Sequence, residues 1–166
     1  MVWHIDVFHI LLATFLGAAI GLERELSGKS AGLRTNLLIC LGAAIFTIIS
    51  KRMITGDGST TRIAAQIVTG VGFLGAGALI QDRRGVHGLT TAATIWLVAS
   101  IGMACGAGFV ALAIVSTIIA IIVLTGLHKL AKPLEKYAKN HRNRYYSDDD
   151  DYIGKERRQT DEENNI

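Results

Sequence analysis

From Leu89 to Leu127 the chain carries no charged residue at all. As a single helix this stretch would run about 57 Å, nearly twice the ~30 Å hydrocarbon core of a bilayer. It must therefore break, and Gly102, Gly106 and Gly108 sit where a hairpin turn would. The stretch predicts two helices, about 89–104 and 108–127. No soluble domain of this size needs so long an uncharged run, because surface helices and strands alternate apolar and polar residues at their own period. The reading is an integral membrane protein.

The same criterion, roughly 20 apolar residues per span, finds three earlier blocks: Ile5–Leu22, Leu33–Ser50 and Ile63–Ile80. Half of the chain is hydrophobic and almost all its charge lies between these blocks and in the tail. The expected fold is an all-α membrane protein, a bundle of about five transmembrane helices over 1–127, followed by a partly disordered tail over 128–166. The first block is not a signal peptide: no Lys or Arg precedes it, and Glu23-Arg24-Glu25 follows it. Cys40 and Cys105 lie inside apolar blocks and read as small hydrophobes.

Basic residues orient the bundle. With five spans, eleven Lys/Arg flank the helices on the side of the 23–34 loop, the 81–88 loop and the tail, against three (Lys51, Arg52, Arg62) on the other. Positive residues stay cytoplasmic, which puts the N-terminus outside and the C-terminus inside the cell membrane. The tail changes sign along its length: 128–147 holds six basic residues and one acid, and 148–166 holds three basic residues and eight acids. Leu127, Leu130, Leu134, Tyr137, His141 and Tyr145 recur at helical spacing. The basic part is either a helix lying on the inner leaflet or a topology signal followed by disorder.

Lipid tails supply no hydrophobic drive between helices, so small residues let backbones approach. Gly17 and Gly21, and Gly102 and Gly106, lie four apart, while Gly70, Gly72, Gly75 and Gly77 crowd the third span. That density would cost a soluble helix about 1 kcal/mol per glycine, and it places the third helix at the bundle centre. The fifth, rich in Ile, Val and Leu, is expected to face lipid.

Nucleotide and metal motifs fail. Gly70-Val71-Gly72-Phe73-Leu74-Gly75 fits G-x-G-x-x-G but lies inside an apolar helix without the acid expected about 20 residues on. Gly28-Lys29-Ser30 lacks the first P-loop glycine, whose place Glu23 takes. Asp149, Asp151 and Gly154 sit at calcium-loop offsets, but Ile153 and Thr160 occupy ligand positions. No catalytic constellation, cofactor site, metal site or nucleic-acid surface is expected. Polar residues within the spans gather in the third and fourth. Arg62, Gln66 and Thr69 share a helix face with Phe73, and Thr90 or Thr91 with Thr94 forms a patch beside Trp96. They serve interhelical hydrogen bonding or line a site; both readings stay open. At one membrane boundary, Glu23, Arg24, Glu25 and Arg34 are either topology signals or a cluster in which Arg34 pairs with Glu23 or Glu25.

Four segments in series resemble a known family. Gly17-x-x-x-Gly21-Leu22-Glu23-Arg24-Glu25, Ala31-Gly32-Leu33-Arg34-Thr35, Arg62 to Gly77, and Gly88-Leu89-Thr90-Thr91-Ala92-Ala93-Thr94-Ile95-Trp96 are similar to the MgtC/SapB family of bacterial inner-membrane proteins, over about residues 10–127. The resemblance implies a five-helix membrane domain linked to magnesium limitation, acid stress or intracellular survival. It also implies a regulatory role through other membrane proteins, the ATP synthase among them. Many members have Arg where this chain has His87. Longer members carry an ACT-like cytoplasmic domain, and the short tail here compares better with SapB-like members. The expected function is a multi-pass regulatory or accessory protein whose partners are the bilayer and other membrane proteins, with homo-oligomerisation left open. The alternative is a small cation transporter or channel. Hard cations want several oxygen ligands, and the carboxylates Asp6, Glu23, Glu25, Asp57 and Asp82 all lie near span boundaries, which disfavours it.

Overall fold

The computed structural model describes residues 3–53, 61–82 and 85–127. Five α-helices follow in order: α1 (Trp3–Leu26), α2 (Leu33–Arg52), α3 (Thr61–Gly77), α4 (Leu89–Ala107) and α5 (Val110–Ile122). A short antiparallel hairpin, β1 (Ile80–Asp82) and β2 (Gly85–His87), joins α3 to α4. Compact packing divides the chain after Leu124; of the second unit, only the end of a π-helical turn, Val123–Leu127, is described. The readings of the tail and of Asp57 lie outside the described residues.

The all-α bundle is the observed fold, and its outward faces are apolar. Phe8, Leu11 and Phe15 of α1, Leu38 and Phe46 of α2, and Leu112, Ile118 and Ile122 of α5 are all more than half exposed. Apolar area of that extent is stable only against lipid or protein. Three helices, α1, α2 and α4, are long and apolar enough to cross a bilayer, and α3 and α5 hold shorter apolar segments. The chain is a membrane protein.

Glycines set the packing. A Cβ on Gly17 would stand 2.6 Å from Cys40 Cβ, and one on Gly21 would stand 2.8 Å from Leu33 Cα. Gly102 would overlap the carbonyl oxygen of Cys40, and Gly106 that of Ala44. α2 is therefore gripped from two sides, antiparallel to α1 and parallel to α4. Cys40 sits fully buried at the crossing, and both cysteines are free.

This corrects the expectation that α3 is central. A Cβ on Gly70, Gly72 or Gly77 would meet nothing within 4 Å, and one on Gly75 would meet only Ala92, at 3.8 Å. The physical reason is angular. Gly17 and Gly21, like Gly102 and Gly106, form one i, i+4 stripe against one neighbour, whereas Gly70 and Gly77 share one face of α3 and Gly72 and Gly75 the opposite one, so the four do not make a single close-packed seam. α3 lies at the edge, packed chiefly on α4.

The boundaries also shift. α1 continues through Glu23-Arg24-Glu25 to Leu26, so those charges belong to a helical turn and not to a loop. The break in the long uncharged stretch falls at Gly108, whose φ of 91° is left-handed and ends α4. α3 stops at Gly77, because Ile80 turns extended to pair with His87. At the end opposite the Glu23 turn, Arg52 pairs with Asp6 and lies 4.7 Å from the centre of the Trp3 ring. Lys51 Nζ donates to the carbonyl of Ala107 at 2.8 Å.

Candidate functional site

The buried face of α1 is Ala13, Leu16, Gly17, Ile20, Gly21 and Arg24. The spacing is that of one helical stripe, and its last member carries a charge. Arg24 is only 3% exposed. Its Nη2 donates to Thr91 Oγ1 at 3.3 Å, tying the end of α1 to the first turn of α4. Glu23, with a side chain 12% exposed, places Oε2 4.0 Å from Arg24 Nη1, and its Oε1 accepts from Ser27 Oγ at 2.8 Å. A buried guanidinium needs such company, because an uncompensated charge away from water is strongly destabilising.

Glu25 does different work. Its Oε2 accepts the Leu33 backbone N–H at 3.0 Å and so caps α2 across the connecting loop. The carboxylate lies against Gly32, where any Cβ would overlap it. Glycine at 32 makes the cap feasible, and the negative charge also suits the positive end of the helix dipole.

Asn36 completes the cluster and was missed from sequence. It is fully buried in the first turns of α2. Its Nδ2 donates to the carbonyls of Ala31, at 2.7 Å, and Gly32, at 2.9 Å. Its place opposite Gly21, where a Cβ would lie 3.2 Å from Asn36 Cβ, is set by the packing of α1 on α2 and has no signal in the sequence. Three buried polar atoms at this end make no hydrogen bond among the described residues: Glu23 Oε2, Arg24 Nε and Asn36 Oδ1. A buried polar atom without a hydrogen bond costs about 1–3 kcal/mol.

The remaining candidates are dispersed. Arg34 is exposed, and among the described residues it pairs with neither Glu23 nor Glu25, because the first flanks Arg24 and the second faces Leu33. Thr90 is exposed, and its carbonyl accepts from the buried Thr94 hydroxyl at 2.8 Å. Trp96 is exposed on the outer face of α4. Gln66 is exposed in an apolar groove of about 630 Å³ between α2 and α3, beside Leu38, Gly42, Phe46 and Gly70. Thr69 turns its hydroxyl back to the Ala65 carbonyl at 3.1 Å. The side chain of Arg62 is not among those described. No group of three or more His, Cys, Asp or Glu gathers among the described residues. The structure thus joins Glu23, Arg24 and Thr91, adds Asn36, and leaves Gln66, Thr90 and Trp96 apart.

Comparison with known proteins matches the MgtC family over residues 10–133. Protein MgtC of Brucella abortus (strain 2308) is 48% identical over 123 residues, which are 74% of this chain and 51% of that protein. Protein MgtC of Salmonella typhimurium (strain LT2) is 50% identical over 113 residues, 68% of this chain and 48% of that protein. YhiD of Escherichia coli (strain K12), whose name assigns it provisionally as a magnesium transporter, is 44% identical over 131 residues, 75% of this chain and 61% of that protein. The chain thus spans about half to three-fifths of the length of these relatives. No solved structure matches it.

Proposed function

The chain belongs to the MgtC family, and from that premise we propose that it is a regulatory or accessory membrane protein in adaptation to low magnesium or acid. It acts by contact with other membrane proteins, of which the ATP synthase is one candidate by family resemblance. Its N-terminus is outside and its C-terminus cytoplasmic, as the basic residues dictate.

An exposed face of α3, part of which lines the groove beside α2, supports this reading. Gln66, Thr69, Gly70 and Gly77 are exposed there, and Gly70 and Gly77 have open space around them. Lipid does not reward small and polar groups, whereas helix–helix contact in a membrane uses both. The core supports the same view. α1, α2 and α4 meet backbone to backbone at Gly17, Gly21, Gly102 and Gly106, which leaves the space between them filled.

The provisional name of YhiD supports a second reading, a magnesium transporter. Two measurements separate the readings. Growth in low magnesium should fall for Gln66→Leu at unchanged membrane abundance, and purified protein in liposomes should carry no magnesium flux above empty liposomes. A flux that depends on the protein would replace regulation with transport.

A further inference from the structure

At the end of the bundle opposite Arg24, a cavity of about 470 Å³ opens where α2 and α4 finish and α5 begins. That is within the range of small-molecule sites, about 300–1,000 Å³. Met103, Ala104, Phe109 and Leu112 form most of its wall, Thr47 and the buried Ser50 complete it, and Lys51 stands at its rim. Thr47 returns its hydroxyl to the Ala43 carbonyl at 2.7 Å, so it offers the cavity carbon. Phe109 and Leu112 are 63% and 58% exposed, so the slot is open sideways toward lipid.

Among the described residues Lys51 is the one charge on this rim. Its ammonium has three N–H groups, and one of them donates to Ala107. Arg52, next in sequence, is already paired with Asp6. Among the described residues Lys51 makes no ion pair, so its charge is uncompensated there. Its depth is set by the helix. α2 has 20 residues, about 30 Å, which matches the hydrocarbon thickness and brings Lys51 to the level of lipid phosphates.

We propose that this cavity binds an anionic phospholipid, with one acyl chain in the slot and its phosphate on the Lys51 ammonium. The wall selects hydrocarbon, and the rim selects net negative charge over a zwitterionic head. This site stands apart from the Arg24 cluster and does not depend on whether the protein regulates or transports.

The test uses the full chain purified in mild detergent and incubated with mixed micelles of equal phosphatidylglycerol and phosphatidylcholine, with retained lipid read by native mass spectrometry. Wild type should retain phosphatidylglycerol in preference. Lys51→Gln should weaken that retention about fivefold, the equivalent of one basic residue at a membrane surface, and Lys51→Arg should keep it. Leu112→Trp, which fills the slot and leaves Lys51 intact, should also release the lipid. Lys29→Gln, a basic residue outside the cavity, should match wild type. Equal retention of both lipids by wild type would overturn the proposal. So would wild-type retention in Lys51→Gln or Leu112→Trp, or an equal loss in Lys29→Gln.

Discussion

At the scale of single residues, Arg24 is the least expected feature. Its burial was readable in outline, because it continues the stripe of Leu16, Gly17, Ile20 and Gly21 by one turn. Its partner was not, since Thr91 lies 67 positions away on another helix. Removing one member of a buried charged pair costs about 3–5 kcal/mol. Glu23 keeps some exposure, so Arg24→Met should cost about 3 kcal/mol, read as thermal stability in detergent. Thr91→Val should cost about 1 kcal/mol, and the double variant less than the two together. Strict additivity would show that the bond does not couple α1 to α4. The Glu25 cap makes a second prediction of the same kind. Gly32→Ala and Glu25→Ala should each cost about 1 kcal/mol, the usual loss of a helix cap. Combined, they should cost little more than either alone, because both remove the same contact to Leu33. A fully additive pair would mean that Gly32 matters for some other reason.

At the scale of helices, the pattern of glycines matters more than their number. α3 is rich in glycine and lies at the edge, whereas α1 and α4 each present an i, i+4 pair and hold α2 between them. Gly102→Ala drives a methyl into the Cys40 carbonyl, forcing two backbones apart at a cost of about 1–3 kcal/mol. Gly72→Ala meets nothing within 4 Å and should stabilise α3 by up to about 1 kcal/mol through helix propensity. The two substitutions are chemically identical and are expected to shift the melting temperature in opposite directions. Destabilisation by Gly72→Ala as large as that by Gly102→Ala would return α3 to the centre of the bundle.

At the scale of the whole molecule, two polar ends close an apolar middle. One holds Glu23, Arg24, Asn36 and Thr91; the other holds Asp6, Lys51, Arg52 and the α4 carbonyl at Ala107. Their separation follows from α1 and α2 running antiparallel over the thickness of a bilayer. The proposed orientation rests on the excess of basic residues on the Arg24 side. A reporter fused after Lys29 is expected in the cytoplasm and one fused after Met53 outside. The reverse assignment would invert the bundle, and with it the leaflet that supplies lipid to Lys51.

The apolar blocks by themselves determined that this is a five-helix membrane protein, because the bilayer sets both the length and the composition of a span. The family was equally legible, in motifs that stand contiguous in the chain. Which helix is central was decided only by tertiary structure, since that depends on which small residues face another backbone. The fate of the Glu-Arg-Glu turn was decided there too. Its three charges stand side by side in sequence, yet Glu23 flanks the guanidinium, Arg24 is buried against a threonine, and Glu25 caps a neighbouring helix. Successive positions on a helix point about 100° apart, and only the packed neighbours determine what each direction meets.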